Sequence, residues 1–179
     1  MTFEEAKQKL KKALTDTVRI TAVETKNFIQ GQMDKEKDIH NKPYEGRGYE
    51  RSRQREKRVL QDRGNLKDSI EVSKIDLQTL SFTINTGTQV DDYAEIHNEG
   101  GEITVTSDMQ KFFWAKFYEI AGDDRRSQNI NPDAEFWRNM ALKKVGDKIV
   151  IPKRAFLGVS KFLEAKIQKI AQKTFEKLL

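Results

Sequence analysis

One short stretch indicates how the second half of the chain folds, and it reads Tyr93-Ala-Glu-Ile-His97-Asn-Glu-Gly100-Gly101. The spacing of its apolar residues predicts one or two helical turns over residues 91–98. The two glycines predict that this helix ends, because glycine adopts positive φ at little cost. A strand, Ile103-Thr-Val-Thr, is expected to follow.

The same stretch holds the best candidate for a chemical site, because Asp92, Glu95 and Glu99 lie close to His97 in sequence. Hard oxygen ligands and one imidazole suit some metals, but one such cluster seldom closes a coordination shell. A helix whose acidic residues face water, with His97 hydrogen-bonded to backbone at its end, explains the pattern more simply. Glycine-rich phosphate loops and Gly-x-Ser-x-Gly elbows are also absent from the sequence. We therefore expect no enzyme, no catalytic residue, no metal and no cofactor.

The residues on either side predict further strands and helices. Alternating apolar residues upstream predict strands over 69–75 and 80–85, joined by a hairpin. Downstream, one helix is predicted after a cap at Ser107 and another after Asn131-Pro132, where proline suits the first helical position. Their aromatic residues are expected in the core or at an interface: Phe112, Phe113, Trp114, Phe117, Tyr118, Phe136 and Trp137.

A second informative stretch reads Ile151-Pro-Lys-Arg-Ala-Phe-Leu-Gly158. It ends a predicted fourth strand over 147–152 and leads into an amphipathic helix over roughly 160–178. Its proline fixes φ and disfavours helix at the preceding residue, so the strand should stop there. We expect Arg154 to pair with a carboxylate, and Phe156 and Leu157 to fill an apolar pocket.

The chain begins with a long amphipathic helix, predicted over about residues 3–30. Thr2 and Glu5 have the spacing of a capping box. The apolar residues recur at intervals of three and four, which places them on one stripe: Phe3, Ala6, Leu10, Ala13, Leu14 and Val18.

Residues 34–58 break this pattern, because most of them are charged. Such a segment cannot bury enough apolar surface to offset its ordering entropy, so we predict a mobile loop. Its basic residues are candidates for binding a partner: Arg47, Arg51, Arg53, Arg55, Lys57 and Arg58.

Composition narrows the classes of function. The 179 residues include no cysteine, which excludes a disulfide scaffold and suits a reducing cytoplasm. The net charge of +5 is a moderate basic bias that permits contact with nucleic acid without requiring it. We expect no membrane-spanning segment and no signal peptide, because the sequence shows neither pattern.

Together these patterns predict one α+β domain: a small, mostly antiparallel sheet of about four strands, flanked by a long N-terminal helix, a C-terminal helix and inserted aromatic helices. Its expected parts are an N-terminal amphipathic helix over 1–33, a charged flexible loop over 34–58, and an α+β core with the C-terminal helix over 59–179.

Three segments, in this order and at this spacing, resemble the phage virion morphogenesis family, which includes the tail-completion proteins of Mu-like and P2-like phages. They are Gly64-Asn-Leu-Lys-Asp-Ser-Ile70, residues 93–101 and residues 151–158. The resemblance covers roughly residues 60–179, with a weaker fit for the N-terminal helix, and it implies a small α+β fold without catalysis. The motif or interface candidates that it indicates are Tyr93, Ile96, His97, Gly100, Gly101, Pro152, Arg154, Phe156, Leu157 and Gly158.

The expected function is therefore tail completion, as a tail terminator or a head–tail joining protein, in the host cytoplasm during assembly and then in the virion tail. The expected partners are further copies in a ring and the tail tube or head–tail connector proteins. The alternative is a nucleic-acid-binding module that uses residues 47–58 and the C-terminal lysines: Lys161, Lys166, Lys169, Lys173 and Lys177.

Overall fold

A computed structural model describes residues 2–44, 60, 65–87, 91–122 and 130–177 of the chain. In chain order, these residues form α1 (Phe3–Asp34), α2 (Asn65–Asp68), β1 (Glu71–Asp76), β2 (Ser81–Asn85), α3 (Asp91–Glu99), β3 (Gly101–Thr104), α4 (Ser107–Ala121), α5 (Pro132–Ala141), β4 (Lys148–Ile151) and α6 (Lys161–Glu176). The predicted α+β class, with its long N-terminal helix and its C-terminal helix, is confirmed.

The four strands form two separate antiparallel sheets of two strands each, β1 with β2 and β3 with β4. This differs from the single small sheet expected from the sequence. The alternation of apolar residues indicates which face of a strand is buried, but it carries no information on which strand lies beside it. Here α3 lies between the two pairs in sequence, and the β1–β2 hairpin packs on α1.

Local hydrogen bonds set the ends of several elements. The predicted capping box at the start of α1 is confirmed, because the Thr2 side chain accepts from the Glu5 amide and the Glu5 carboxylate accepts from the Thr2 amide. Asn131 caps α5 as expected, and Pro132 is its first residue. The cap of α4 is Thr106, one residue before the predicted Ser107, because the Thr106 backbone is extended and its hydroxyl accepts from the Met109 amide.

The main core lies where α1, α2, α3 and the segment before α6 meet. Its buried residues are Ile29, Met33, Leu60, Leu66, Ile70, Ala94 and Phe156. A second apolar cluster joins α4 to α5 through Phe117, Ala121 and Ala134. The Gln110 side chain also donates to the carbonyls of Ala141 and Lys143 at the end of α5. The aromatic helices therefore pack mainly on each other, as a hairpin with its own core.

Helix α1 extends beyond its predicted end to Asp34, and the chain then folds back on itself. Residues 37 and 43 form an isolated antiparallel bridge, and the Ile39 side chain is buried. The Ile39 amide also donates to the carbonyl of Ala155 at 2.9 Å. The first part of the predicted mobile loop is thus fixed against the core, while residues 45–59 lie outside the described residues.

Helix α6 runs antiparallel to α1. Gly158, just before α6, lies beside Ile39, which follows the C-terminal end of α1, whereas Lys166 Nζ, further along α6, lies 2.9 Å from Oε2 of Glu24, which is earlier in α1. Across the described ranges, no helix is long and apolar enough to cross a lipid bilayer.

Truncation of Met33 tests the location of the main core. Met33 is fully buried, so Met33→Ala should lower the free energy of unfolding by about 2–5 kcal/mol, through lost burial and a cavity. Val23→Ala, on an exposed face of the same helix, is the control and should change it by less than about 1 kcal/mol. Urea unfolding measures both, and equal effects would contradict this placement of the core.

Candidate functional site

The structure brings the two informative stretches, 93–101 and 151–158, into one junction. Strands β3 and β4 pair with Gly101 opposite Ile151, so the end of α3 lies against the residues that follow β4. These residues, 152–158, form no helix or strand, and we call them the strap. Because the strap connects β4 to α6, its position decides where α6 begins.

Each residue of the last turn of α3 holds a different part of the strap. The His97 carbonyl accepts from the Arg154 amide at 2.8 Å. The Asn98 Oδ1 atom accepts from the amides of Phe156 at 3.0 Å and Leu157 at 2.8 Å. The third contact is an ion pair in which Lys153 Nζ lies 2.8 Å from Glu99 Oε2. The strap is therefore fixed along its length by one helical turn.

The two bonds to Asn98 contribute most to this junction. In a segment without secondary structure, no neighbouring strand or helical turn supplies carbonyl acceptors for the backbone amides. A buried amide without an acceptor costs about 1–3 kcal/mol. One carboxamide oxygen satisfies two such amides here. The other half of the carboxamide is also used, since Nδ2 donates to Glu99 Oε1 at 2.6 Å.

The Glu99–Lys153 pair is exposed and contributes little to stability by itself. It does fix the charge state of the carboxylate. The hydrogen bond from Lys153, followed by the one from Asn98, holds the pKa of Glu99 below its usual value. Glu99 is therefore an anion at neutral pH and remains an acceptor for both neighbours.

Arg154 is 5% exposed and connects the strap to α3 by its side chain as well. Its Nη1 atom lies 3.2 Å from His97 Nδ1. A guanidinium only donates hydrogen bonds, so Nδ1 must accept, and a neutral ring then carries its proton on Nε2. The Tyr93 ring contacts the His97 ring edge to face, with centroids 4.2 Å apart, and limits how the imidazole can turn.

Tyr44 lies near the same guanidinium. Its hydroxyl is buried and has no hydrogen-bond partner among the described residues. Burial raises the pKa of Tyr44 far above its usual value, and the charge of Asp38 raises it further while Arg154 opposes the effect. Tyr44 is accordingly a neutral phenol that contributes apolar surface to the main core.

Gly100 permits the close approach of α3 and the strap. Its φ is +74°, and a Cβ atom there would lie 3.0 Å from the Lys153 nitrogen and 3.2 Å from the Ile151 oxygen. Both neighbours are backbone atoms of the paired strand end and the strap, so they cannot rotate away. A glycine is required at this position by conformation and by space.

The end of the strap inserts into the main core. Phe156 is 1% exposed, and Leu157 packs against the same cluster. Gly158 has a φ of +138°, and a Cβ atom there would lie 3.0 Å from Ile39 Cδ1. The third stretch of the resemblance contributes Leu66 and Ile70 to this cluster, while its Gly64 lies outside the described residues.

The remaining candidate residues are distributed as follows. Ile96 is half-buried and touches the Cβ position of Gly101, and Pro152 is half-buried after β4. Among the C-terminal lysines, Lys166 is paired with Glu24. The candidate binding residues between 47 and 58, and the side chains of Asp91 and Asp92, fall outside the described part. In the part that is described, no group of three or more His, Asp or Glu side chains could hold a metal ion.

Sequence reasoning missed two residues of the junction, Asn98 and Ile39. An asparagine in the last turn of a helix, immediately before a Gly-Gly pair, is a signal for Asn98, because its short amide can bond backbone outside the helix. Ile39 offers only the weaker signal of an isolated apolar residue in a charged segment.

Truncation of the strap tests its structural role. Phe156→Ala with Leu157→Ala should lower the free energy of unfolding by roughly 4 kcal/mol or more, since both side chains pack in the core. The matched control is Val159→Ala with Phe162→Ala, two exposed residues nearby in sequence, which should have a small effect. A double variant at 156 and 157 with an unchanged melting temperature would exclude the proposed role.

Gly100 and Gly146 form a second matched pair. Both have positive φ, but no heavy atom lies within 4 Å of the Cβ position of Gly146. Gly146→Ala should therefore show only the conformational penalty, about 1–2 kcal/mol. Gly100→Ala should lose a further 1–3 kcal/mol or so, because its Cβ would overlap backbone. Equal losses in denaturant unfolding would mean that close packing at Gly100 is unimportant.

Comparison with known proteins identifies the family. The sequence model of the phage virion morphogenesis family matches residues 2–176, which includes α1 as well as the three stretches described above. Neither a curated protein nor a solved structure matches the chain. The family is a structural assembly family and is not known as enzymatic, so the protein has a structural role in phage virion assembly. The chain belongs to the phage virion morphogenesis family.

Proposed function

We propose that this protein completes the phage tail, either as a terminator of the tail tube or as the protein that joins the tail to the head. In this proposal it acts by protein–protein contacts, as a ring of copies that binds the tail tube or the head–tail connector. It assembles in the host cytoplasm and remains in the virion tail.

The observation that carries the proposal is the use of both family motifs in one junction. The polar groups of Asn98, Lys153 and Arg154 bond the protein's own backbone and side chains. Gly100 permits the close packing of the same junction. Such a junction fixes the relative positions of α3, β4 and α6. Fixed geometry is what a subunit needs when it must close a ring or fit the end of a tube.

Exposed apolar side chains give the protein surfaces for contacts with other proteins. Phe112 and Tyr118 are half-exposed on α4, and Val150 is largely exposed on β4. Grouped exposed apolar residues are typical of protein–protein interfaces. These surfaces lie outside the junction, so binding through them would leave the strap undisturbed.

Removal of the gene tests the function. A phage or prophage without it should yield heads and tails that are not joined, and a plasmid copy of the wild-type gene should restore complete particles. Electron microscopy distinguishes the two roles. A missing terminator should give tails of abnormal length, because nothing stops tube growth, whereas a missing joining protein should give tails of normal length. Normal infectious particles without the gene would refute tail completion.

A further inference from the structure

The first part of α1 extends beyond the helix that packs beside it. Lys166 of α6 is level with Glu24 of α1, and the two helices run in opposite directions. Because α-helices rise equally per residue, Glu176 at the end of α6 is level with about residue 14 of α1. Residues 3–12, here called the projecting segment, therefore lie past the end of α6.

The projecting segment carries an apolar seam that is exposed in the described part of the structure. Phe3 is 81% exposed and Leu10 is 50% exposed. Phe3, Ala6, Leu10 and Ala13 alternate at intervals of three and four residues, the spacing by which one helix packs along another. Ala13 is buried, and Glu24, which lies on the same side of the helix two heptads after Leu10, pairs with Lys166 of α6. The seam thus continues outward from the covered part of α1.

Lysines flank this seam on both sides. In the heptad that places Phe3 and Leu10 at a and Ala6 at d, Lys7 is an e residue and Lys9 is a g residue. Glu4 and Glu5 fall at b and c, on the far side of the helix. Lys7 Nζ lies 3.8 Å from Glu4 Oε1, but both side chains are mostly exposed. This ion pair therefore reduces the positive charge beside the seam only weakly.

These charges select the partner of the seam. An antiparallel copy would place each lysine opposite its own equivalent, whereas a parallel copy would place Lys9 opposite Leu14 of the other copy and Lys7 opposite Thr2. The antiparallel arrangement brings like charges together, and the parallel one gives neither lysine an opposite charge, so these charges do not favour self-pairing. A helix with carboxylates at its flanking positions would instead meet opposite charges along both sides.

We propose that the projecting segment is a docking helix for an amphipathic helix of another protein, with an apolar seam and acidic flanks. The partner helix packs on Phe3 and Leu10, beyond the end of α6, and its carboxylates pair with Lys7 and Lys9. This binding is independent of the proposed role in tail completion, because it is a property of the purified chain.

Two designed peptides test the charge requirement. Both are about four heptads long, with Ile at a and Leu at d, but one has Glu at every e and g position and the other has Lys. Fluorescence anisotropy measures their binding to the full chain. The acidic peptide should bind and the basic peptide should not. Lys7→Glu with Lys9→Glu should reverse this preference.

Two neutral substitutions test the seam. Leu10→Gln leaves the net charge unchanged and should weaken binding of the acidic peptide about tenfold or more, because it removes the central apolar contact. Val23→Gln is the control on another face of the same helix and should bind as the wild type does. Both positions are about half-exposed, so thermal unfolding should confirm that both variants fold normally.

Three results would each overturn the proposal: equal binding of the two peptides, unchanged binding to Leu10→Gln, or self-association of the free protein that Leu10→Gln abolishes. The last result, seen by light scattering, would assign the seam to a second copy. Failure of the tail-completion experiment would leave these binding results unaffected, so the two proposals can fail separately.

Discussion

The position of the strap, and with it the start of α6, depends on one carboxamide oxygen. Asn98 Oδ1 accepts the amides of both Phe156 and Leu157, which lie in a segment without a ladder to bond them. With these amides satisfied, the strap can enter the core and place Phe156 in the same buried cluster as Met33 and Ile70. The start of α6 follows from that position. A polar interaction thus permits an apolar one.

The junction also explains how two small sheets can coexist in one protein. A pair of strands is marginally stable by itself and needs a helix or a neighbouring layer against it. The β1–β2 hairpin has α1 for this purpose. At the other pair, Gly101 and Ile151 lie opposite each other at the ends next to α3 and the strap. Contacts between α3 and the strap therefore hold the ends of β3 and β4 together, beyond the hydrogen bonds of the strands themselves.

Local chemistry was predictable from the sequence, and the pairing of distant parts was not. The cap of α1 by Thr2 and Glu5 follows from spacing alone, and so does the cap of α5 by Asn131. The resemblance to the family indicated Gly100 and Phe156 as motif residues, and the structure places both in the junction. The partition of four strands into two sheets could not be found, since periodicity defines faces and not neighbours. Ile39 was missed for a similar reason. It lies against the strap near Ala155 and Gly158, more than a hundred positions away in sequence, although its own neighbours in sequence are mostly polar or charged.

The exposed end of α1 shows how the same periodicity can have two meanings. From Phe3 to Val18 the sequence gives one continuous stripe, and periodicity alone would place all of it in the core. The structure divides the stripe near residue 13, because α6 is too short to follow α1 to its start. Stability explains the buried part. Among the described residues, Phe3 is mostly exposed and Leu10 is half-exposed, so burial does not explain these two side chains, and the flanking lysines give the surface a charge preference. An apolar stripe longer than its internal cover is therefore best interpreted as a binding surface that the fold presents in a defined direction.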